Sequence, residues 1–473
     1  MNSNIFRAYD IRGIVGKDFM PREAKILGQA FGTYLQKQQL GRKKVILGHD
    51  NRFTSDEINA YFTEGLLSTG CDLLDLGLSL TPLVHYAVIK TKADAGVIIT
   101  GSHNPKEFNG FRFDLKNANP LYGKELLKLK QIAESGEFVR GEAEVAYDDG
   151  EIFETYLADI KSRIHLEKPL RLAIDCGNGT ASAFAVRLFK QFPCEIFPLY
   201  CNLHGDYPYH QPDPGAKINM QGLKEIILKE KLDLGLGFDT DGDRFGVIDE
   251  KGNIYENDKT LIVLARDVLK NHPGSKVLFD VKSSYVLANE IKKMGGQPFI
   301  TRTGHSFFHV AIMENKDIFL GGEVSGHTYI KDNYYGFDDG LYAGARILEI
   351  LSKADHPYSQ FFADVPKTAH TEELKAPCPD DQKFQIVEEI KQKIREEIIN
   401  SHKDWQLIEI DGVRIRFSPT EWALIRASNT TPNLSLRFEA ESKDKLKEIV
   451  GFVKSRLERY PVVDLSSLYK LKM

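Results

Sequence analysis

Six short segments of this chain share one form, and they come in pairs. "KVILGHDNR" from Lys44, "LRLAIDCGNG" from Leu170 and "SKVLFDVKSS" from Ser275 each pass from a polar start through a short apolar run to an Asp and small polar residues. Downstream of each, an Asp opens a second apolar run that ends in a Gly-bearing polar loop: "DAGVIITGSHNP" from Asp94, "DLGLGFDTDGD" from Asp233 and "DIFLGGEVSGH" from Asp317. Apolar runs without alternation mark strands buried on both faces. Helical spacing lies between them; after Pro21, residues Ala24, Leu27, Ala30, Phe31 and Tyr34 fall on one helix face. Strands alternating with helices predict parallel sheets covered by helices. The repetition predicts three copies of one α/β fold, each delivering a polar loop from the C-terminal end of a strand, where open α/β sheets bind ligands.

The last hundred or so residues break this rhythm. "DWQLIEIDGVRIRFSPTEWALIRASNTTPNLSLRFEAES" alternates apolar and polar residues between turn signals, and "KDKLKEIVGFVKSRLERY" follows as an amphipathic helix. That pattern predicts an antiparallel α+β domain, joined through residues 365–369. A chain of 473 residues is too long for one core. The expected division is residues 1–148, 149–250 and 251–366 as α/β domains and 367–473 as the α+β domain.

Bulk properties exclude some partners. The net charge of −5 leaves no basic footprint for nucleic acid and no polybasic membrane patch. The opening "MNSNIFRAYD" lacks a secretory pattern, and no apolar run is long enough to span a bilayer. Five cysteines, none in a Cys-x-x-Cys pair, fit a reduced, cytoplasmic protein.

Four loops carry the chemistry. In "DTDGDRFG", Asp239, Asp241 and Asp243 alternate around Gly242, a pattern that lets three carboxylates converge on one hard cation such as Mg²⁺; an Asp-rich surface turn is the other reading. Arg244 follows and can reach a phosphate oxygen. In "IITGSHNP", Ser102 sits at the tip of an apolar run with Gly101, His103, Asn104 and Lys106 around it. A serine is a weak nucleophile without a base or metal, and the loop is not a hydrolase elbow. A phosphorylated Ser102 beside a Mg²⁺ site and a simple Ser-Asn-Pro turn both fit the loop taken alone. "GGEVSGH" places Glu323, Ser325 and His327 where directional bonds to sugar hydroxyls can form, although a Gly-rich turn explains it as well. "RASNTTPN" sets Arg426, Ser428, Asn429, Thr430 and Thr431 together at a strand end, as a phosphate cradle does.

In order and spacing, "TGSHNP", "DTDGDR", "GEVSGH" and "RASNTTPN", with "FRAYDIRG" at Phe6–Gly13, resemble the α-D-phosphohexomutases along essentially the whole chain. The nearest likeness is to the bacterial phosphomannomutase/phosphoglucomutase group. The resemblance implies four domains, three with a shared mixed α/β core and a C-terminal α+β domain, in a heart shape around a central cleft. It implies that hexose 1-phosphate and hexose 6-phosphate, of mannose or glucose, are interconverted through a phosphoserine and a hexose 1,6-bisphosphate. It implies that Ser102 is the phosphorylated residue, that Asp239, Asp241 and Asp243 hold Mg²⁺ with the phosphoserine as a further ligand, and that Glu323 and Ser325 read the sugar hydroxyls beside His327. Arg426, Ser428, Asn429 and Thr430 would clamp the phosphate that is not transferred. Tyr9, Arg12, His103, Arg244 and Lys282 match substrate and transition-state contacts, and His305 in "TGHS" matches a proton-transfer group.

One position departs from the pattern. The dual-specificity relatives usually have Asn-Gly-Phe-Lys where this chain has Asn109-Gly110-Phe111-Arg112. Arg holds its proton far more tightly than Lys, so Arg112 is expected to supply charge and His305 gains weight as the base. Two other readings are a phosphoglucosamine mutase, against which Val324 argues, and a sugar-phosphate-binding relative without chemistry, against which the intact Ser102 and three Asp residues argue. Small sugar phosphates are the expected partners, and a monomer or weak homodimer the expected state.

Overall fold

In the computed structural model, which describes residues 2–38, 42–429 and 431–471, the strand Ala95–Ile99 is buried at every position. It lies parallel to Lys43–His49, which lies parallel to Cys71–Leu78. On its other side it pairs antiparallel with Phe108–Leu115, and that strand pairs antiparallel with Ile11–Ile14. The sheet is therefore mixed. The Ser102 loop joins a parallel strand to an antiparallel return strand, a hairpin connection that the α/β rhythm did not predict. Helices Ala24–Gln38 and Ser55–Leu67 pack together over this sheet. A Cβ on Gly28 would sit 2.2 Å from the Phe62 carbonyl oxygen, and one on Gly65 would sit 2.1 Å from that of Lys25. Only glycine permits so close a helix crossing.

The second sheet repeats the plan. Leu170–Asp175 is flanked in parallel by Cys194–Leu199 and Leu234–Phe238. Phe245–Asp249 then returns antiparallel to Leu234–Phe238, so the Asp239–Asp243 loop is again the hairpin tip. The third polar loop has the same position, between Ile318–Gly322 and its antiparallel partner Thr328–Ile330. In the first two sheets parallel buried strands place the loop at a strand C-terminus, and in all three an antiparallel return folds the loop back into a tight tip.

The chain divides into two units: residues 1–275 with 304–363, and residues 276–303 with 364–473. In the second, Val413–Ser418, Glu421–Ala427 and Asn433–Ala440 form an antiparallel sheet with shorter strands at its edges. Helices Lys383–Ser401 and Lys443–Leu457 cover one face with Ile386, Ile390, Val450 and Val453. The strand Lys276–Asp280, its parallel partner Gln297–Thr301 and the helix Tyr285–Lys293 belong to this unit too. The buried carboxylate of Glu439 joins them to the sheet by accepting from Ser284 Oγ (2.6 Å), the Tyr285 amide (3.1 Å) and Trp422 Nε1 (2.7 Å).

Candidate active site

Ser102 is the residue of its loop with a left-handed backbone, at φ +48°. That region is costly for a residue with a Cβ and persists only where neighbours enforce it. The enforcement is visible. The Ser102 amide donates to Thr100 Oγ1 at 2.7 Å. The guanidinium of Arg52 donates to the carbonyls of Ser102, Asn104 and Pro105, each at 2.7 Å. Asp50 orients Arg52 through Nε at 2.9 Å, and also accepts from Thr100 Oγ1 (3.0 Å), the Gly101 amide (2.9 Å) and Ser55 Oγ (2.6 Å). Both side chains are fully buried. A Cβ on Gly101 would sit 2.3 Å from Arg52 Nε, so Gly101→Ala is expected to displace the clamp and lower turnover about tenfold or more, with a smaller change in thermal midpoint. Turnover at the wild-type level with Ala at 101 would show that the clamp does not set the serine.

The Ser102 hydroxyl lies 3.4 Å from Asp239 Oδ2 and 3.2 Å from His103 Nδ1. The two loops thus meet. Asp239, Asp241 and Asp243 are almost wholly buried, and each offers an oxygen within 4.8 Å of the others. Burial, and then the neighbouring carboxylates, push the Asp239 and Asp243 carboxyls well above their ordinary range. Buried like charges this close need a counter-charge. Asp241 Oδ1 and Asp243 Oδ1 are buried without a hydrogen-bond donor. An all-carboxylate set with orphaned oxygens fits a hard divalent cation. Thr81 fixes the loop, donating from Oγ1 to Asp241 Oδ2 at 2.7 Å and from its amide to the Asp241 carbonyl at 3.0 Å.

Behind the carboxylates lies a residue the sequence reading did not single out. Asp338 is fully buried and takes both terminal nitrogens of Arg112, at 2.9 and 3.0 Å. His327 Nδ1 is 3.2 Å from it, and His85 Nε2 3.5 Å; His85 in turn lies 3.0 Å from Asp114. Burial disfavours charge on Arg112, but Asp338, Asp114 and Asp243 outweigh it and hold the guanidinium protonated more firmly than usual. His327 Nε2 accepts from Arg244 Nε at 2.9 Å, so His327 is tied to the metal loop and to Asp338. Burial and the Arg244 charge push its pKa down to about 4.

His305 is buried beside Tyr9, ring centroids 4.9 Å apart and edge to face, and 6.2 Å from the His327 ring. Burial and then Arg112 pull its pKa well below the ordinary value, which leaves the imidazole neutral. Glu323 accepts the Gly304 amide at 2.8 Å and lies 3.2 Å from Tyr329 Oη. Ser325 is half-buried in the same loop. Arg12 pairs with Asp10 at 3.0 Å.

The remaining predicted residues lie in the second unit. Lys282 is buried and pairs with Glu373 at 3.0 Å, with Asp280 3.9 Å away. Arg426 Nε donates to Asp411 at 2.5 Å. Ser428 Oγ and Thr431 Oγ1 are 2.9 Å apart, Asn429 is half-buried, and Thr430 falls outside the described residues. Burial raises the Glu373 carboxyl, but Lys282, with the bond from Ser435, outweighs it and brings the value down to about 2. A folded value below the ordinary 4.5 stabilises the fold above that pH and is lost as pH falls from about 4.5 toward 2. The stability difference between wild type and Glu373→Gln is therefore expected to shrink across that window in acid unfolding curves. A constant difference would contradict the pairing. Since Glu373 keeps 30% exposure, solvent screens part of the effect.

Four family descriptions match in chain order. Residues 3–140, 154–252 and 256–369 match the phosphoglucomutase/phosphomannomutase alpha/beta/alpha domains I, II and III, and residues 373–455 match its C-terminal domain. The chain is 39% identical to a phosphoglucomutase of Neisseria gonorrhoeae over 97% of both chains. It is 36% identical to a phosphomannomutase/phosphoglucomutase of Pseudomonas aeruginosa over 96% of both. Among solved structures, a phosphoglucomutase/phosphomannomutase family protein from Burkholderia thailandensis superposes with a TM-score of 0.87 at 34% identity, covering 97% of this chain and 98% of that one.

Proposed function

The chain belongs to the phosphoglucomutase/phosphomannomutase family, and on that premise we propose that it interconverts the 1- and 6-phosphates of glucose, mannose or both through a phosphorylated Ser102. The carrying observation is the Ser102 hydroxyl, 3.4 Å from Asp239 in front of three buried carboxylates. Asp239, Asp241 and Asp243 would hold Mg²⁺. Bound there, the ion would neutralise charge on the phosphoryl oxygens. Arg52 and Asp50 hold Ser102 in its strained turn, so the oxygen is aimed before substrate arrives. Arg244 and Arg112 add fixed positive charge beside the metal loop. Arg112 gives up no proton while Asp338 grips both its terminal nitrogens. His305, neutral at physiological pH, is the group that takes the proton from the attacking sugar hydroxyl.

Phosphoserine 102 gives its phosphoryl group to the free hydroxyl of a hexose monophosphate. The hexose 1,6-bisphosphate so formed turns over and returns its other phosphate to Ser102. Glu323 and Ser325 grip the ring hydroxyls, with Tyr9, Arg12, His103 and His327 as further contacts. Arg426, Ser428, Asn429 and Thr430 hold the idle phosphate, with Lys282 beside them. These groups bind ring edge and phosphate, not the reacting carbon, so they serve both orientations. Domains at residues 1–148, 149–250, 251–366 and 367–473 would supply one loop each. No helix among the described residues is long and apolar enough to cross a membrane. We read the protein as a cytoplasmic enzyme of small sugar phosphates, a monomer or weak homodimer.

A pocket reading two ring hydroxyls discriminates weakly between C2 epimers. Glucose 1-phosphate and mannose 1-phosphate, each supplied with Mg²⁺ and catalytic hexose 1,6-bisphosphate, are both expected to be converted. Conversion of neither, or faster turnover of glucosamine 1-phosphate, would overturn this reading.

A further inference from the structure

Two cysteines sit at the ends of neighbouring parallel strands, Leu170–Asp175 and Cys194–Leu199. Cys176 is buried and Cys201 half-buried. Their sulfur atoms are 3.4 Å apart. The sulfur of Cys201 also faces the carbonyls of Leu199 (3.3 Å) and Ile174 (3.5 Å). Nothing in the proposed reaction uses either thiol.

Cys176 opens a turn that touches both reacting loops. Its carbonyl accepts the Gly179 amide at 2.8 Å, and Ala181 N donates to the carbonyl of Thr240, between two of the metal-loop aspartates, at 3.0 Å. A Cβ on Gly179 would lie 2.7 Å from Thr240 Cα, so this packing has no slack. On the other side, Thr180 Oγ1 accepts the Asn51 amide at 2.9 Å, and the Asn178 carbonyl accepts from Asn51 Nδ2 at 2.8 Å. Asn51 lies between Asp50 and Arg52, the clamp on Ser102.

We propose that Cys176 and Cys201 form a reversible disulfide under peroxide, and that the bond shifts the 176–181 turn and slows the enzyme. The Cys201 sulfur, nearer solvent, attacks hydrogen peroxide. An S–O bond forms, the O–O bond breaks, and one water leaves with the thiol proton. The Cys176 sulfur then attacks the Cys201 sulfenic acid; the S–S bond forms, the S–O bond breaks, and a second water leaves. Two thiols are oxidised and one peroxide is reduced. Burial, and then the neighbouring Cys201, raise the Cys176 pKa well above the ordinary value, which keeps it a thiol and makes the second step slow. A disulfide holds its sulfurs about 2.05 Å apart, so the pair must close by more than an ångström. Displacements of about 1 Å at reacting groups cost up to about 100-fold in rate.

The test uses the full chain with hydrogen peroxide, then dithiothreitol. Peptide mapping is expected to find Cys176 joined to Cys201, with turnover about tenfold lower or less and restored by the reductant. Cys201→Ser and Cys176→Ala, each checked for an unchanged thermal midpoint, are expected to form no such link and to keep their activity under the same peroxide. Peroxide treatment that leaves both thiols free, or a complete 176–201 link with unchanged turnover, overturns the proposal. The activity readout rests on the mutase reading, but the covalent link does not. A link in a protein without mutase activity would therefore count against that reading and leave the thiol pair standing.

Discussion

Ser102→Ala is expected to abolish turnover, by about 10⁴-fold or more, while circular dichroism and thermal midpoint stay close to wild type. The side chain makes one long contact to Asp239 and one to His103, so little folding energy rests on it. The backbone holding it depends on Arg52, Asp50 and Thr100, which the substitution leaves in place. Ser102→Gly sharpens the case. Glycine takes φ +48° without the penalty a Cβ imposes, so this variant is expected to be at least as stable as Ser102→Ala and equally inactive. At this φ the backbone favours glycine, so what the serine adds is its hydroxyl. Wild-type rates in either variant would remove the phosphoserine from the mechanism.

Asp241→Asn is expected to separate stability from activity in the opposite sense. Asp239 and Asp243 have folded carboxyl pKa values raised by burial and by carboxylate neighbours. A raised carboxyl stabilises the fold below the unfolded pKa and loses that contribution as pH rises through the folded value. At neutral pH without metal, the Asp239 and Asp243 carboxylates therefore oppose folding, and removing the Asp241 charge relieves both. The metal-free variant is expected to melt about 2 °C or more above metal-free wild type. Thr81 can still donate to the amide oxygen at 241, so the loop keeps its anchor. Mg²⁺ is expected to raise the midpoint of wild type clearly and that of the variant weakly, and turnover to fall about 10²–10³-fold. An unchanged Mg²⁺ response with full activity would take the loop out of metal binding.

The polar loops were legible because each breaks a buried apolar run; each taken alone also fits a plain turn, and their joint order and spacing decided the reading. Their meeting followed from the family resemblance and from no local pattern. Ser102 and Asp239 are far apart in sequence, and only the packing of two sheets puts them at 3.4 Å. Asp50 and Arg52 lay in view in "GHDNR", but as the tail of a strand; nothing local says that the guanidinium takes three carbonyls of another loop. Asp338, in "YGFDDG", carries no local signal and is the buried partner of Arg112 and His327. His327, expected to face sugar, accepts from Arg244 on the metal loop. The antiparallel return strands were missed because a buried run carries no sign of direction. The helix Tyr285–Lys293, after the strand Lys276–Asp280, is tied to the C-terminal sheet through Glu439, a single carboxylate well down the chain that no local pattern announces. Cysteine spacing gave no hint that Cys176 and Cys201 meet, because strand order, not sequence distance, sets their separation.

The proposed mutase chemistry requires Ser102 to carry the phosphoryl group that moves. The most direct measurement starts with hexose 1,6-bisphosphate labelled with oxygen-18 in its phosphates and follows the label by peptide mass mapping in the presence of Mg²⁺. One labelled phosphoryl group is expected on the peptide containing Ser102, discharged when unlabelled hexose 1-phosphate is added and found in the sugar product. Label on any other residue, or turnover with the Ser102 peptide never labelled, would contradict it.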